Sequence, residues 1–198
     1  MYYQKVFVFI LLITFTLNSF AQDELLSDRE LSKTTIFKSM EEALKNPKNV
    51  YRLDLSRKDD SKEPLNTIPE EIATFLNLQE LNLANNKLIV VPVELSQLSN
   101  LQVLDLSFNQ IESFPAEMSK LKNLHSLILK FTRLKEFPAC FLELSELKYI
   151  DLFANMIQEF PDEMVRLKKL EVMGIGKNGL SDVELNHLTE MLPGVVFE

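Results

Sequence analysis

The 198-residue sequence is poor in the residues that build reactive or metal-binding sites, with one cysteine, two histidines and four glycines. A single Cys cannot form an internal disulfide, and His125 and His187 have no second His or Cys at the spacing of a zinc site. Nothing in the chain resembles a nucleophile elbow, a phosphate-binding loop or a zinc-protease helix. These absences predict that the protein is not an enzyme and carries neither a metal ion nor a cofactor.

The charge balance is acidic, with 29 Asp and Glu residues against 21 Lys and Arg residues and a formal net charge of −8. Because an acidic surface repels phosphate groups, binding to nucleic acid and adhesion to anionic membranes are disfavoured. Residues 57–64, RKDDSKEP, contain three carboxylates but lack the regular oxygen spacing of a calcium site. We therefore interpret this segment as a solvated surface excursion.

The first 21 residues have the layout of a signal peptide: Lys5, an apolar run over residues 6–17, and a cleavage site after Ala21. The apolar run is shorter than the roughly 20 residues that span a membrane, which disfavours the alternative of an uncleaved anchor. No Cys follows the run, so lipid attachment is not expected. We expect export to the periplasm, the cell surface or the medium, without a stable membrane anchor after cleavage.

A 23-residue repeat organises the rest of the chain. In LQVLDLSFNQIESFPAEMSKLKN, residues 101–123, apolar side chains occupy positions 1, 4, 6, 11, 14, 18 and 21, with Asn at position 9 and Pro at position 15. Similar units begin at Leu78, Leu124 and Leu147, a shortened unit begins at Leu170, and a 28-residue variant covers residues 50–77. A fixed period of this length indicates a solenoid.

The spacing within one unit predicts its local structure. Alternation around positions 4 and 6 indicates one short strand, with Leu104 and Leu106 turned towards the core. Because the chain returns to the same place in every unit, the strands must lie parallel, and the segment after Pro carries a short helix or helical turn. The Asn at position 9 is predicted to bind backbone groups that the turn leaves unpaired.

Three positions depart from the regular pattern. Thr132 replaces the Asn of position 9, which predicts weaker tethering of its loop because a hydroxyl reaches less far and offers one donor instead of two. Gly174 and Gly176 fall on the last regular strand, where we expect a shallow patch of bare backbone in a degenerate terminal unit. Position 14 holds residues that we assign to core packing: Val91, Phe114, Phe137 and Phe160.

The pattern LxxLxLxxNxIxxFPxxMxxLxN resembles the leucine-rich repeat, in the 23-residue subclass with Pro in the loop. The resemblance implies an α/β fold: a right-handed solenoid with a parallel sheet on its concave side, capped at both ends. We place the repeats at residues 50–180, a polar lead-in with a capping helix at 22–49, and a closing helix plus strand at 181–198. The capping boxes Ser39–Glu42 and Ser181–Glu184 predict where the two helices start.

Positions 3, 5 and 7 of each unit point away from the core. In the central units they form an apolar and aromatic cluster with charged margins, flanked by Phe108 and Phe131: Val103, Asp105, Ile128, Lys130, Tyr149, Asp151 and Phe153. Such a composition is typical of protein interfaces, where aromatic residues often dominate the binding energy. The cluster predicts a partner-binding surface, although exposed aromatic and β-branched residues also suit a strand that binds nothing.

Two functional hypotheses follow. In the first, which the family resemblance implies, the protein is an exported, non-catalytic module that binds a protein or peptide on the concave face. In the second, it is a structural or self-associating envelope component without a specific soluble ligand. Self-association would run edge to edge through the terminal repeats or through Cys140, which replaces a Glu on the convex side and could cross-link a homodimer.

Overall fold

The computed structural model describes residues 25–59 and 62–198, which fall in two units divided after Lys33. The predicted signal peptide lies outside the described residues. In the first unit, residues 25–33 contain one short helix, α1 (Asp28–Leu31). Glu30 Oε2 accepts hydrogen bonds from the N–H of Ser27 at 3.0 Å and from its hydroxyl at 2.6 Å. The prediction of a polar lead-in missed this helix, whose capping box is visible in the sequence.

The second unit contains a parallel sheet of eight strands, counted over its described residues, in which spatial order follows chain order. The strands are β1 (Ile36–Phe37), β2 (Arg52–Asp54), β3 (Glu80–Asn82), β4 (Val103–Asp105), β5 (Ser126–Ile128), β6 (Tyr149–Asp151), β7 (Val172–Gly174) and β8 (Val196–Phe197). Equivalent repeat positions pair with one another, so Leu104 lies opposite Leu127, and Leu127 opposite Ile150. The parallel solenoid predicted from the period is confirmed.

The return segments carry short 3-10 helices, which confirms the predicted helical turn after Pro. Their bounds are Glu70–Thr74, Val93–Gln97, Ala116–Lys120, Ala139–Glu143 and Asp162–Arg166, and a further one covers Pro47–Asn49. Pro precedes each of the five longer helices because its fixed φ suits an extended N-cap, as at Pro115 with φ −66°. The Pro115 carbonyl then accepts a hydrogen bond from Met118 N–H at 3.1 Å.

The apolar repeat positions form one continuous core. In the unit from Leu101, positions 1, 4, 6, 11 and 21 have no solvent exposure. Burial of a Leu side chain contributes about 1.5–3 kcal/mol, so the repeated positions supply most of the driving force. At position 14, Val91, Phe137 and Phe160 are buried and Phe114 packs partly buried against the core, as predicted.

The asparagines at position 9 join neighbouring repeats. Asn109 Oδ1 accepts from Leu88 N–H at 3.0 Å, and its Nδ2 donates to the carbonyls of Leu83 and Leu106 at 3.0 and 2.9 Å. The same bonds recur at Asn86, Asn155 and Asn178. The predicted role of this amide is confirmed.

Thr132 interrupts this series. Its hydroxyl donates to Leu129 O at 2.9 Å and approaches Asn155 Oδ1 at 2.6 Å. Among the described residues, no side-chain bond runs from Thr132 to Leu106 O or Ile111 N–H, which an Asn at this position would reach. The backbone of the preceding loop is therefore held by fewer bonds at this junction, in agreement with the sequence interpretation.

Helices are present at both predicted caps: α2 (Met40–Leu44) and α3 (Asp182–Met191). Ser39 and Ser181 accept hydrogen bonds from the N–H groups of Glu42 and Glu184, each at 3.2 Å. The other half of both predicted boxes is wrong, because among the described residues neither Glu42 nor Glu184 accepts from the N–H of its N-cap Ser. Glu184 Oε1 instead accepts from Phe160 N–H at 2.8 Å. This bond attaches α3 to the last full repeat, and β8 then pairs with β7.

Candidate partner-binding surface

The strands expose repeat positions 3 and 5 on one side of the sheet, which we call the concave face. In β4, Leu104 is buried in the core, whereas Val103 and Asp105 are partly exposed. Register aligns Val103, Ser126 and Tyr149 in one row and Asp105, Ile128 and Asp151 in another. Neighbouring strands are about 4.8 Å apart, so these predicted site residues form a continuous surface.

The carboxylates at position 5 have a structural role that the sequence interpretation did not assign to them. Asp105 Oδ1 accepts hydrogen bonds from the N–H and the hydroxyl of Ser107 at 2.9 and 2.6 Å. Asp151 Oδ1 accepts from Phe153 N–H at 3.0 Å, and Asn82 Oδ1 accepts from Ala84 N–H at 2.9 Å. One oxygen of each side chain therefore caps the end of its strand.

The second oxygen distinguishes these aspartates. Asp54 Oδ2 lies 3.0 Å from Lys58 Nζ, and Asp151 Oδ2 lies 3.9 Å from Lys130 Nζ. Asp151 is also only 8% exposed. Over the part of the chain that the structure describes, Asp105 Oδ2 has no hydrogen-bond or ion-pair partner. Asp105 is thus the available carboxylate of the predicted cluster, whereas Asp151 is largely enclosed.

Three phenylalanines follow one edge of the concave face, and we call them the aromatic ladder: Phe108, Phe131 and Phe153. The rings of Phe108 and Phe131 stack with centroids 4.7 Å apart and an interplanar angle of 12°, and the Phe131 and Phe153 centroids are 5.6 Å apart. Lys177 Nζ lies 5.4 Å from the Phe153 centroid. Phe108 and Phe131 are 45% and 41% exposed, so much of the ladder remains open to a partner.

The ladder borders a shallow cleft of about 220 Å³. Its lining includes three of the predicted residues, Lys130, Asp151 and Phe153, together with Glu198, which the sequence interpretation did not place at the site. The other four, Val103, Asp105, Ile128 and Tyr149, do not line the cleft and lie on the neighbouring part of the sheet. The structure therefore divides the predicted cluster into a cleft and an adjoining strand surface.

The backbone at position 8 adopts an unusual conformation. Phe108 and Phe131 have φ values of 54° and 53°, and Asn85, Ala154 and Lys177 are also in the left-handed region. The fold imposes this geometry by pairing Phe108 N–H with Lys130 O and Phe131 N–H with Phe153 O, both at 2.9 Å. A bulky side chain there costs about 1–2 kcal/mol, and Asn tolerates the conformation better than most other non-glycine residues. The sequence held a signal for this, since Asn occupies position 8 at Asn85.

Gly174 and Gly176 make room for two residues of the predicted cluster. A Cβ on Gly174 would lie 2.7 Å from Asp151 Oδ1, and one on Gly176 would lie 2.9 Å from two carbons of the Phe153 ring. The predicted patch of bare backbone is therefore wrong, because Asp151 and Phe153 lie against it. These glycines serve close packing at the site.

Tyr149 lies partly buried among three carboxylates. Burial raises the pKa of its phenol, and the nearby charges of Asp151, Glu198 and Asp105 raise it further. The hydroxyl therefore stays protonated at neutral pH, and it lies 3.5 Å from Asp151 Oδ2. Three carboxylates thus lie close enough to Tyr149 to act on its phenol.

The comparisons with known proteins agree with this geometry. A family model described as a leucine-rich repeat region matches residues 35–193. The chain belongs to the leucine-rich repeat family. No curated protein matches it significantly.

Two solved leucine-rich repeat structures are similar to this chain. A leucine-rich repeat protein of Leptospira interrogans is 30% identical with a TM-score of 0.65, and the match covers 76% of this chain and 36% of that one. A plant peptide hormone receptor, RGFR1, solved with RGF2, is 23% identical with a TM-score of 0.62, and the match covers 83% of this chain and 27% of the receptor. The chain thus spans about a third of the first structure and about a quarter of the second.

Cys140 lies away from the concave face of this leucine-rich repeat protein, in the 3-10 helix Ala139–Glu143. Its side chain is partly buried and packs against the core. Burial raises the pKa of the thiol to about 11, so it is protonated at neutral pH. Since the thiolate is the reactive form, this environment slows oxidation and disulfide exchange.

Within residues 25–59 and 62–198, no group of three or more His, Cys, Asp or Glu side chains is placed to hold a metal ion. Within the same ranges, no helix is both long and apolar enough to cross a membrane.

Proposed function

We propose that this leucine-rich repeat chain is an exported recognition module that binds a protein or peptide on the concave face of β4, β5 and β6. The binding surface comprises the predicted cluster and the aromatic ladder. The observation that carries the proposal is the stacking of Phe108 on Phe131 at an exposed edge of the sheet.

The ladder is hard to explain by folding alone. Burial of a Phe side chain contributes about 1.5–3 kcal/mol, yet Phe108 and Phe131 leave 45% and 41% of their surface in solvent. Both also occupy a left-handed conformation that Asn would adopt at lower cost. Exposed aromatic residues beside half-buried apolar ones are the composition that supplies anchors in protein interfaces.

Family membership supports the same class of ligand. The similar plant structure is a peptide hormone receptor in complex with RGF2, which is an example of this fold with a bound partner. At 23% identity the likeness concerns the fold, and the contacts must be tested on this chain. Export rests on the layout of residues 1–21 and is tested by mass spectrometry of the protein from fractionated cells, where we expect Gln22 as the first residue.

The main test is partner capture from extracts and envelope fractions of the source cells. The purified protein serves as one bait, and a Phe108→Asn, Phe131→Asn variant serves as the second, because Asn85 shows that the repeat accepts Asn at this position. An Ile89→Asn, Val90→Asn variant is the matched control, since these two exposed apolar residues lie outside positions 3, 5, 7 and 8. Circular dichroism confirms that all three baits are folded.

We expect a partner that the native bait and the Ile89, Val90 control retain and the Phe108, Phe131 variant loses. A partner that all three baits retain would place the binding surface elsewhere. If the native bait captures only further copies of itself, the protein is a self-associating component and the proposal is wrong.

A further inference from the structure

Of the three aspartates at position 5, only one lacks a neighbouring cation among the described residues. Asp54 is paired with Lys58 at 3.0 Å, and Asp151 lies 3.9 Å from Lys130 and is almost buried. Asp105 is partly exposed, and among the described residues its Oδ2 atom has no partner. The unpaired carboxylate therefore lies in the centre of the sheet, on β4.

The surroundings of Asp105 suit a cationic side chain. Val103 precedes it by two residues on the same face and Ile128 lies beside it on β5, so two apolar side chains adjoin the carboxylate, while Asn82 lies on its other side on β3. Tyr149 is close enough to Asp105, Asp151 and Glu198 for their charges to raise the pKa of its phenol. The net charge of the whole chain, −8, has the same sign. The ion pair between Asp105 and a bound cation would be strengthened because the apolar neighbours exclude water from it.

The aromatic ladder begins three residues after this carboxylate. Phe108 follows Asp105 by three residues, so their Cα atoms are at most about 10 Å apart. Side chains of an extended peptide that point to the same side are about 7 Å apart, so about two to three residues of a ligand span the distance. Phe108 and Phe131 cover one face of each other's ring at 4.7 Å, and the parts of both rings that stay exposed can contact an apolar side chain.

These features select one class of occupant. A polyanion such as nucleic acid would be repelled by Asp105 and the acidic chain. A second copy of this chain would bring the same negative charge to the same face. A peptide that carries a positive charge has the complementary sign, and an extended backbone fits the width of a few parallel strands.

We infer that the concave face binds an extended peptide whose Arg or Lys side chain pairs with Asp105 Oδ2 and whose apolar side chain, about two to three residues away, contacts Phe108 and Phe131. This inference rests on the proposed function and specifies the chemistry of its ligand. Asp105 Oδ1 keeps its structural bonds to Ser107 when the peptide binds.

The test uses a random peptide library displayed on phage and selected against the purified native protein. Selections against Asp105→Asn and Asp54→Asn variants run in parallel. Asn at position 5 preserves the strand cap, because Asn82 Oδ1 already accepts from Ala84 N–H at 2.9 Å. The Asp54 variant removes the equivalent charge from a residue that Lys58 already neutralises. Thermal melts confirm that both variants are folded.

We expect the native protein and the Asp54 variant to enrich peptides with Arg or Lys about two to three residues from an apolar residue. The Asp105 variant should bind the enriched synthetic peptides about ten- to a hundredfold more weakly, the usual contribution of a charge-assisted bond. The affinity of the native protein should also fall as salt is raised, because part of the interaction is exposed.

Other outcomes overturn the inference in distinguishable ways. Enriched peptides without a basic residue, or basic peptides that bind the Asp105 variant equally well, disprove the role of Asp105 while the proposed function stands. If the native protein enriches no peptide above an immobilised unrelated protein, peptide binding is wrong, and the capture experiment decides whether a folded protein is the ligand.

Discussion

The hydroxyl of Thr132 lies 2.6 Å from Asn155 Oδ1, which also accepts a hydrogen bond from Leu134 N–H at 3.0 Å. Thr132 therefore bonds to the repeat that follows it and, among the described residues, makes no side-chain bond to the repeat that precedes it. This junction is the point where the series of position-9 asparagines is interrupted.

A Thr132→Asn substitution should stabilise the protein. The longer amide would reach Leu106 O and Ile111 N–H, as Asn109 reaches Leu83 O and Leu88 N–H. One or two added backbone bonds contribute about 0.5–1.5 kcal/mol each, so the urea midpoint should rise. Thr132→Val is the control that removes the hydroxyl without adding an amide, and it should lower the midpoint. A Thr132→Asn midpoint at or below the native value would contradict the proposed gap in tethering.

A Phe131→Asn substitution should change the free energy of unfolding by less than about 1 kcal/mol. The substitution loses ring contacts that contribute about 0.5–1.5 kcal/mol per pair. It also relieves the backbone strain of a Phe held in the left-handed region at φ 53°. In contrast, Phe141→Ala should cost about 3–5 kcal/mol, because Phe141 is completely buried. Urea denaturation measures both. A loss at Phe131 as large as that at Phe141 would mean that the ladder exists for stability.

A Gly176→Ala substitution should destabilise the protein by about 1–3 kcal/mol, the usual range for overpacking, because its Cβ would meet the Phe153 ring at 2.9 Å. Gly176→Ala should cost less when Phe153 is already replaced by Ala, because the ring that its Cβ would meet is then absent. A double-mutant cycle by thermal unfolding measures the coupling. Additive effects would show that the ring does not set the requirement for Gly.

The pH dependence at the C-terminal cap should follow His187. Its Nε2 atom lies 2.9 Å from Asp162 Oδ1, and this hydrogen bond is the main reason that its pKa is raised above 6.5. Because the pKa of His187 is higher in the folded than in the unfolded state, its bond to Asp162 stabilises the fold fully at pH values below the unfolded-state pKa. This stabilisation is lost as the pH rises through the folded-state pKa. NMR titration should give a His187 midpoint above 6.5, and Asp162→Asn should lower it. An unchanged midpoint in that variant would assign the shift to other carboxylates.

Cys140 should react slowly with thiol reagents in the native state. Because burial raises its pKa to about 11, little thiolate exists at neutral pH. Reaction with iodoacetamide at pH 7.5 should accelerate severalfold in urea, which exposes the side chain.

Light scattering with and without reductant then tests the self-association hypothesis. A native dimer that reductant dissociates would establish the disulfide-linked homodimer.

Local chemistry explains why much of the fold could be predicted. The period of 23 residues requires the chain to return to the same place, and this alone implies parallel strands and short return segments. The role of Asn109 followed from its position at the end of a strand, where backbone groups need partners. The missed helix α1 had a visible capping box at Ser27, but a four-residue helix has no apolar periodicity to reveal it.

The site was predicted less completely. Positions 3 and 5 were correctly placed on one face of the sheet, whereas position 7 follows the strands and is buried at Ser107. The sequence could not distinguish Asp105 from Asp151, which occupy the same repeat position. Their difference depends on the neighbouring repeats: Lys130 of the preceding repeat lies near Asp151, and Gly174 of the following repeat admits its carboxylate.

The sequence by itself determined the repeat, the core positions, the capping helices and the face that the strands expose, because each depends on periodic burial and local capping. Only the tertiary structure decided which carboxylate remains unpaired, why Gly176 must be small and how Phe108 meets Phe131. These relations join residues of neighbouring repeats, such as Phe108 and Phe131, which lie 23 positions apart. They depend on register and side-chain packing between repeats, which no single repeat contains.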